Sequence, residues 1–207
     1  MKKRALCPLS GVHLTIKPMF SSVGAFAQHA VGSFNLQPKI GVSIANLTDM
    51  KDSDPRVGLV AGVEGEYQVS DIFSISAGAL YSMQGAKSTI SALGQSVTAT
   101  TKLDYINVPI MANVYVVKGL AVKLGIQPGF KVSSTLKTDV NTSLGSGSGS
   151  RDIKAQSVDF SIPVGISYEY SNFQLDARYN WGLTKVFENG KDKNSVFQIT
   201  LGYKFDL

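Results

Sequence analysis

Thiols, histidines and charged side chains are scarce in this sequence of 207 residues. It has one cysteine, Cys7, and two histidines, and charged residues make up 17% of it, against about 25% in ordinary soluble proteins. Without the first 27 residues no thiol remains, which excludes disulfides, zinc–cysteine sites and cysteine nucleophiles from the rest of the chain. No uncharged apolar run reaches the roughly 18 residues of a membrane helix, so any membrane span must consist of strands.

Residues 1–27 have the features of a secretory leader. A basic start, Met1–Arg4, is followed by a moderately apolar stretch, and Ala25-Phe26-Ala27 precedes Gln28 in the small-x-small pattern of a cleavage site. We therefore predict an exported precursor. Because the pair Lys17-Pro18 interrupts the apolar stretch, a soluble protein with an irregular amino terminus is the alternative.

The basic charge balance belongs to this leader. The formal net charge is +5, and residues 1–27 carry four basic side chains and no acidic one, so the remainder has a net charge of +1. A nucleic-acid partner requires a basic stripe that survives in the folded domain. We exclude nucleic acid as a partner on this ground.

Apolar residues recur at every second position from about Leu36 to the carboxyl end. This is the period of a β-strand, and no window has the sustained spacing of a helix. The alternating runs are eight in number. They lie at about 36–45, 57–68, 73–84, 106–116, 120–132, 158–170, 173–183 and 197–205.

Short and long connections alternate between these runs. The tight turns lie at 69–72, 117–119 and 171–172, and the long polar connections lie at 47–56, 87–101, 134–155 and 185–194. Outer-membrane barrels have short periplasmic turns and longer external loops. In the longest connection, the Ser-Gly repeat at 146–150 is predicted to be a flexible coil.

These features predict an all-β fold: an eight-stranded antiparallel up-and-down transmembrane β-barrel with short periplasmic turns and long external loops. We assign residues 1–27 to a signal peptide, 28–35 to a flexible segment and 36–207 to the barrel. Both termini are expected on the periplasmic side. The predicted location is the outer membrane, reached by export through the periplasm.

The second face of the strands separates a membrane barrel from a soluble, lipocalin-like barrel. In a soluble barrel this face meets water, whereas in a narrow membrane barrel it must fit inside. Glycine and serine dominate it here, as at Gly41, Ser43, Gly62 and Ser76, which favours the interior. The charged residues assigned to this face are Lys39, Glu64, Glu66, Asp104, Lys123, Lys131, Asp159, Glu169, Asp176, Arg178 and Lys204.

Such charges would be costly in lipid, so we predict that they line the lumen as a polar network. Both signs are present, and ion pairs between them are expected to fill the lumen. A polar path for ions or small solutes is the alternative.

Aromatic residues gather toward both ends of the apolar faces, as interfacial girdles require. Beside the short turns and the carboxyl end these are Tyr67, Phe73, Tyr168, Tyr170, Phe173, Tyr203 and Phe205. Toward the long connections they are Tyr81, Phe130, Phe160, Tyr179, Trp181 and Phe197. A general preference of strands for aromatic residues is the alternative explanation.

Pro109, Pro128 and Pro163 fall inside predicted strands. Each proline removes a hydrogen bond of the ladder, and a closed barrel has no free edge to accommodate it. We therefore expect bulges or local breaks of pairing at these positions.

The sequence offers little chemistry for catalysis. His13 lies in the leader and His29 in the predicted frayed start of the mature chain, so neither is expected to act as a base. Glu64 and Glu66 point to the same side of one strand, but no cleft or partner strand for glycosidase chemistry is evident. Phosphate-binding loops and metal-ligand spacings are not found. We expect a protein that is not an enzyme and that binds no cofactor or metal.

Several segments together resemble a known family. They are Gly41–Leu47, Ala79–Lys87, Leu103–Ile110, Asp176–Leu183 and Gly202–Phe205, in family order over nearly all of the mature chain. The stretch Tyr105–Pro109 is the most specific part. These segments are similar to the outer-membrane β-barrel domain of the "porin family", or PorT-like proteins, of Bacteroidetes-type bacteria.

This resemblance implies an outer-membrane location and an eight-stranded barrel, but no defined activity and no functional residues. It also suggests that the fold tolerates proline in the fourth strand. The sequence departs from the common pattern at Leu207, where an aromatic residue is more usual in assembly signals.

The predicted function is that of a structural or interaction barrel with a largely filled polar lumen and external binding loops. A narrow channel for small solutes is the first alternative, and a soluble ligand-binding barrel is the second. The expected partners are outer-membrane lipid and lipopolysaccharide, and the barrel-assembly machinery during insertion. The ligand of the external loops is not identified by the sequence.

Overall fold

The computed structural model describes residues 29–48, 53–92, 95–142, 145–187 and 192–207, so the predicted signal peptide lies outside the described residues. The strands within these ranges are β1 (Phe34–Leu47), β2 (Ser53–Ser70), β3 (Phe73–Ala92), β4 (Gln95–Asn107), β5 (Ile110–Val117), β6 (Leu120–Thr142), β7 (Gly145–Asp152), β8 (Val158–Tyr170), β9 (Phe173–Gly182), β10 (Asn194–Tyr203) and β11 (Phe205–Asp206). A search of these ranges for a membrane-spanning helix found none.

The strands close into one antiparallel ring. β1 pairs with β2, β2 with β3, β3 with β4 and β5, and both of these with β6. β6 then pairs with β8, β8 with β9 and β9 with β10, and β10 returns to β1. β4 and β5 are consecutive halves of one barrel strand, and β11 continues the line of β10 along β1. The eight-stranded up-and-down barrel predicted from the sequence is therefore confirmed.

Apolar side chains point outward from the ring and polar ones point inward. Ile40 is 59% exposed and Leu201 50%, whereas Lys39, next to Ile40 in sequence, is 4% exposed. The same alternation runs along β9, β10 and most of β8. A lipocalin-like arrangement, with the apolar side chains gathered inside, is thereby excluded.

Glycines give the large interior side chains their room. Gly62 and Gly202 lie in register on either side of Lys39. Gly165 lies between Lys123 of β6 and Arg178 of β9. A Cβ atom at Gly62 would overlap the carbonyl oxygen of Ala79, so no larger residue fits this wall without a shift of the backbone.

Pro109 and Pro163 interrupt pairing, as predicted, whereas Pro128 stays paired with Phe160 of β8. The ring strand breaks between β4 and β5 at Val108-Pro109, although Val108 still donates its N–H to the carbonyl of Pro128 at 2.8 Å. Pairing between β6 and β8 is absent beside Pro163 and resumes in the same register. The absent proline N–H therefore costs local ladder bonds but does not displace the strands.

Two of the predicted long loops are instead hairpins that extend the barrel wall. β3 and β4 pair as far as Ala92 and Gln95, and β6 and β7 pair from Thr135–Asp152 to Thr142–Gly145. Because β4 also pairs with β6 in this region, the four strands form one sheet beyond the ring. The prediction of loops at 87–101 and 134–155, with a flexible coil at 146–150, was wrong: pairing with β6 overrides the low strand propensity of Gly and Ser.

The start of the described chain is folded against the ring. β1 begins at Phe34, two residues earlier than predicted, and the N–H of Gly32 donates to the carbonyl of Gln68 at 2.8 Å. Gln68 in turn donates its N–H to Ser33 at 3.0 Å. Gly32 has a φ of 85°, a left-handed conformation that glycine adopts at little cost. The segment assigned to 28–35 as flexible thus contains a hydrogen-bonded turn and the first residues of β1.

Candidate functional site

Five ionised side chains meet inside the ring and form the central ion cluster: Lys39, Glu64, Lys123, Asp176 and Arg178. Each has 4% exposure or less. Arg178 contacts Glu64 at 2.8 Å and Asp176 at 2.9 Å, and Lys123 contacts Asp176 at 2.8 Å. Lys39 donates to Glu64 and lies 3.5 Å from Asp176. Three cations therefore share two carboxylates.

The cluster ties together strands that are distant along the chain. Lys39 lies on β1, Glu64 on β2, Lys123 on β6, and Asp176 and Arg178 on β9. Asp176 and Arg178 are two residues apart on one strand, so their side chains point to the same side. Burying each charge costs several kcal/mol, and only close opposite charges and hydrogen bonds offset that cost. Breaking one of these pairs would therefore leave an uncompensated charge inside the ring.

A second group, the turn-end cluster, lies toward the short connections. Lys204 contacts Glu66 at 3.0 Å and Glu169 at 2.8 Å. Glu66 also accepts hydrogen bonds from Ser74 at 2.6 Å and from Tyr115 at 2.5 Å. Strands β2, β3, β5 and β8 are thus linked to the end of the chain.

His29 joins the turn-end cluster, which corrects the prediction that it lies in a frayed segment. Its Nε2 is 2.8 Å from Glu169 and its Nδ1 is 2.8 Å from Asp206. The hydrogen bond to Glu169 raises the pKa of His29 above its ordinary value, against the opposing effect of burial. With a carboxylate at each ring nitrogen, the arrangement favours the doubly protonated imidazolium. No local sequence signal pointed to these partners, because they lie about 140 residues or more along the chain.

Two of the predicted lumen residues, Asp159 and Lys131, bind polar groups toward the hairpin end. Asp159 accepts hydrogen bonds from Thr184 at 2.5 Å and Asn194 at 3.1 Å, and Lys131 donates to the backbone carbonyl of Ala155 at 2.5 Å. These two predicted lumen residues thus bind polar groups of the outer segments and take no part in the central ion cluster.

Asp104 does not line the lumen, which corrects the prediction. From Thr101 to Asn107 the burial of β4 alternates, with Leu103 and Tyr105 buried and Ile106 exposed, so Asp104 shares the outward side of Ile106. Its carboxylate lies 3.6 Å from Arg56, a residue that the sequence analysis left in a loop. The alternation of the strand already indicated the outward position of Asp104, since residues 104 and 106 are two apart and lie on the same side.

A small apolar cluster packs at the hairpin end of the ring. Leu47, Ala86, Leu103, Tyr105 and Val186 are each 1% exposed or less and pack together. Val186 comes from the connection between β9 and β10, predicted as a polar loop, and its carbonyl accepts the N–H of Gln156 at 2.8 Å. The alternation in the sequence gave no sign of this cluster, because a single apolar residue in a loop has no period.

The predicted girdle residues all lie on the outward side. Eleven of the thirteen are more than one-third exposed, and Phe73 and Tyr81 are half-buried. Phe34, which is not among the predicted girdle residues, is also exposed, and its ring lies over Gly65. At the turn end, Tyr203 contacts both Phe173 and Phe205, with ring centroids 5.0 Å and 4.7 Å apart.

The described residues contain no group of three or more histidine, cysteine or acidic side chains placed to hold a metal ion. Glu64 and Glu66, considered above for glycosidase chemistry, belong to different ion clusters and face separate cations. These two glutamates therefore form ion pairs with cations of the interior.

Replacing Arg178 tests the central ion cluster. Arg178→Met removes the guanidinium that joins Glu64 and Asp176, and we expect the free energy of unfolding to fall by about 3–5 kcal/mol because buried carboxylates lose compensation. Urea unfolding in lipid vesicles, followed by fluorescence of the only tryptophan, Trp181, gives the value. Lys137→Met is the matched control, since its ion pair with Asp139 is exposed and such pairs contribute about 0–1 kcal/mol. Equal losses in both variants would contradict the assignment.

The turn-end cluster predicts a pH dependence of stability. Because the pKa of His29 is raised in the folded state, its contacts stabilise the fold below pH 6.5, the pKa of an unperturbed histidine. This contribution to stability disappears as the pH rises through the pKa of the folded state. The difference in unfolding free energy between the wild type and His29→Ala should therefore be larger at pH 6 than at pH 8.5. The imidazole NMR signal should titrate above 6.5. A midpoint below 6.5 would contradict the contact between His29 and Glu169.

Comparison with known proteins assigns the family. The model of the family described as "Outer membrane protein beta-barrel domain" matches residues 26–188, more than three quarters of the chain. A search of curated proteins gave no match.

Solved structures with the same kind of barrel have low identity to the chain. Ail, the attachment invasion locus protein of Yersinia pestis, is 13% identical, with a TM-score of 0.48 over 85% of this chain and 100% of Ail. Neisserial surface protein A is 15% identical, with a TM-score of 0.42 over 83% of this chain and 97% of that one. A designed transmembrane β-barrel is 17% identical, with a TM-score of 0.41 over 86% and 98%. On the family match and the closed eight-stranded ring, the chain belongs to the outer membrane protein beta-barrel domain family and is located in the outer membrane.

Proposed function

We propose that this outer-membrane barrel does not conduct solutes and has no enzymatic activity, and that it presents its extended hairpins outside the cell for interaction. The observation that carries the first part is the central ion cluster. Its five side chains come from four strands around the ring and are at most 4% exposed. Because water has almost no access to these side chains, we expect no continuous aqueous path past the cluster.

The apolar closure at the hairpin end supports the same proposal. Leu103 and Tyr105 of β4 and Val186 of the β9–β10 connection pack within the mouth of the ring. An ion that entered there would have to leave water in an apolar constriction, which is costly. The two barriers lie in series, so removal of either alone leaves the other.

The hairpins support the second part of the proposal. β3 and β4, with β6 and β7, extend as one four-stranded sheet beyond the ring, and β7 is exposed along its whole length. In outer-membrane barrels the long connections face outward from the cell and the short turns face the periplasm. The finer likeness to PorT-like proteins of Bacteroidetes-type bacteria, suggested by the segments quoted above, is part of this proposal.

Planar-bilayer recording tests the closed lumen. We expect the purified wild type to give no discrete conductance steps, because the ion cluster and the apolar closure both block the axis. A variant that combines Lys39→Ala, Arg178→Ala and Val186→Gly should give steps if it folds, as shown by heat-modifiable migration on gels. Steps from the wild type would favour the narrow-channel alternative and overturn the proposal.

Cysteine labelling tests the orientation. Cys7 is the only cysteine and lies in the predicted leader, so Ser148→Cys in β7 provides a single thiol in the exported chain. A membrane-impermeant maleimide added to intact cells should label Ser148→Cys and should not label Asp71→Cys in the short β2–β3 turn. Lysed cells should label both. The reverse pattern on intact cells would invert the proposed orientation.

A further inference from the structure

The extended sheet has a depression on its outward side. Its volume is about 680 Å³, and it is lined by Lys87, Thr98, Thr100, Lys102, Lys137, Asp139, Asn141, Ser146, Gly147 and Ser148. The lining combines three lysines with four serine and threonine hydroxyls, one aspartate and one asparagine. No part of the interior clusters or of the apolar closure belongs to it.

This depression continues the wall that faces lipid. On β4, Thr98, Thr100 and Lys102 share the parity of Ile106, which is 43% exposed on the outward side. At about 3.3 Å per residue, Lys102 lies roughly 13 Å along the strand from Ile106. The register of β4 against β3 is unbroken over this stretch, so the side does not switch. A group bound here would lie beside the barrel, just outside the apolar layer.

Three lysines surround the hydroxyl of Thr100. Thr100 pairs with Lys87 on one neighbouring strand and with Lys137 on the other, and Lys102 lies two residues away on the same side. With strands about 4.8 Å apart, the three ammonium groups reach a common volume. The hydroxyls of Thr98 and Thr89 lie 3.2 Å apart beside them and add hydrogen-bonding groups.

The charges around the depression have both signs. Asp139 lies 3.3 Å from Lys137 and is the only carboxylate of the lining residues. Asp54 lies across from Lys87 on β2, and Asp104 follows Lys102 on the same side, 3.6 Å from Arg56. The centre is therefore cationic and the rim carries carboxylates, an arrangement that suits phosphate groups joined to sugar hydroxyls.

We propose that this depression binds the phosphorylated saccharide headgroup of an outer-leaflet glycolipid, such as lipopolysaccharide. The lysines hold the phosphate oxygens through charge-assisted hydrogen bonds, and the rim carboxylates with the serine and threonine hydroxyls contact the sugar. The glycolipid is favoured over a soluble polyanion because the site lies on the side of the wall that faces lipid. This inference rests on the proposed orientation, which the labelling of Ser148→Cys tests independently.

The test measures lipid binding to the refolded barrel. Purified protein in nanodiscs that contain lipopolysaccharide is compared with the triple variant Lys87→Ser, Lys102→Ser, Lys137→Ser, and retained glycolipid is counted by native mass spectrometry. The control removes the same charge elsewhere, through Lys118→Ser, Lys154→Ser and Lys185→Ser, three exposed positions outside the depression. We expect at least about tenfold weaker retention in the first variant and little change in the control, since a few exposed charge contacts combine to this size.

Further arms identify the ligand. Enzymatically dephosphorylated lipopolysaccharide should lose most of its retention by the wild type, and phosphatidylglycerol should not replace it. Lys→Arg substitutions at the same three positions should preserve retention and guard against a folding defect in the serine variant. Equal retention by both serine variants, or tighter binding of soluble heparin than of lipopolysaccharide, would overturn the proposal. If Ser148→Cys is labelled on intact cells, either result would contradict the binding proposal without contradicting the proposed orientation.

Discussion

The structure depends on the pairing of buried charges inside the ring. Closing eight strands leaves an interior that side chains alone can fill, and this chain fills much of it with lysine, arginine and carboxylates. Arg178 and Asp176 of β9 are central, because through them β1, β2 and β6 meet β9 across the axis. A large buried charge without a partner would destabilise the ring, so closure and ion pairing depend on each other.

Glycine makes this arrangement possible in the wall. Gly62 and Gly202 flank Lys39, and Gly165 separates Lys123 from Arg178, so each long side chain lies beside positions without a side chain. The glycine-rich composition and the charged interior are thus two aspects of one packing solution. It differs from a soluble core, where apolar residues gather inside, because lipid takes the apolar side here.

The two ends of the ring differ in the side chains that pack there. At the turn end, His29 and Lys204 bring the start of the described chain and its carboxyl end to Glu169, which adds a titratable contact. At the hairpin end, apolar residues of the ring pack with Val186 of the connection between β9 and β10. Beyond it, the wall becomes a hydrophilic sheet whose outward side changes from apolar residues to lysine and threonine. That change of chemistry along one strand marks the passage from acyl chains to headgroups.

The sequence by itself determined the eight strands of the ring, their antiparallel neighbour pairing and the outward side of most of them, because all of these follow from a period of two and from short turns. It also identified most interior charges. The tertiary structure decided which cation meets which carboxylate, because those partners lie on strands far apart in the sequence. It also placed Asp104 outside, brought His29 to Glu169, buried Val186 and turned the Gly-Ser repeat into β7 through pairing with β6. Contacts of this kind depend on ring closure and register, which no local pattern encodes.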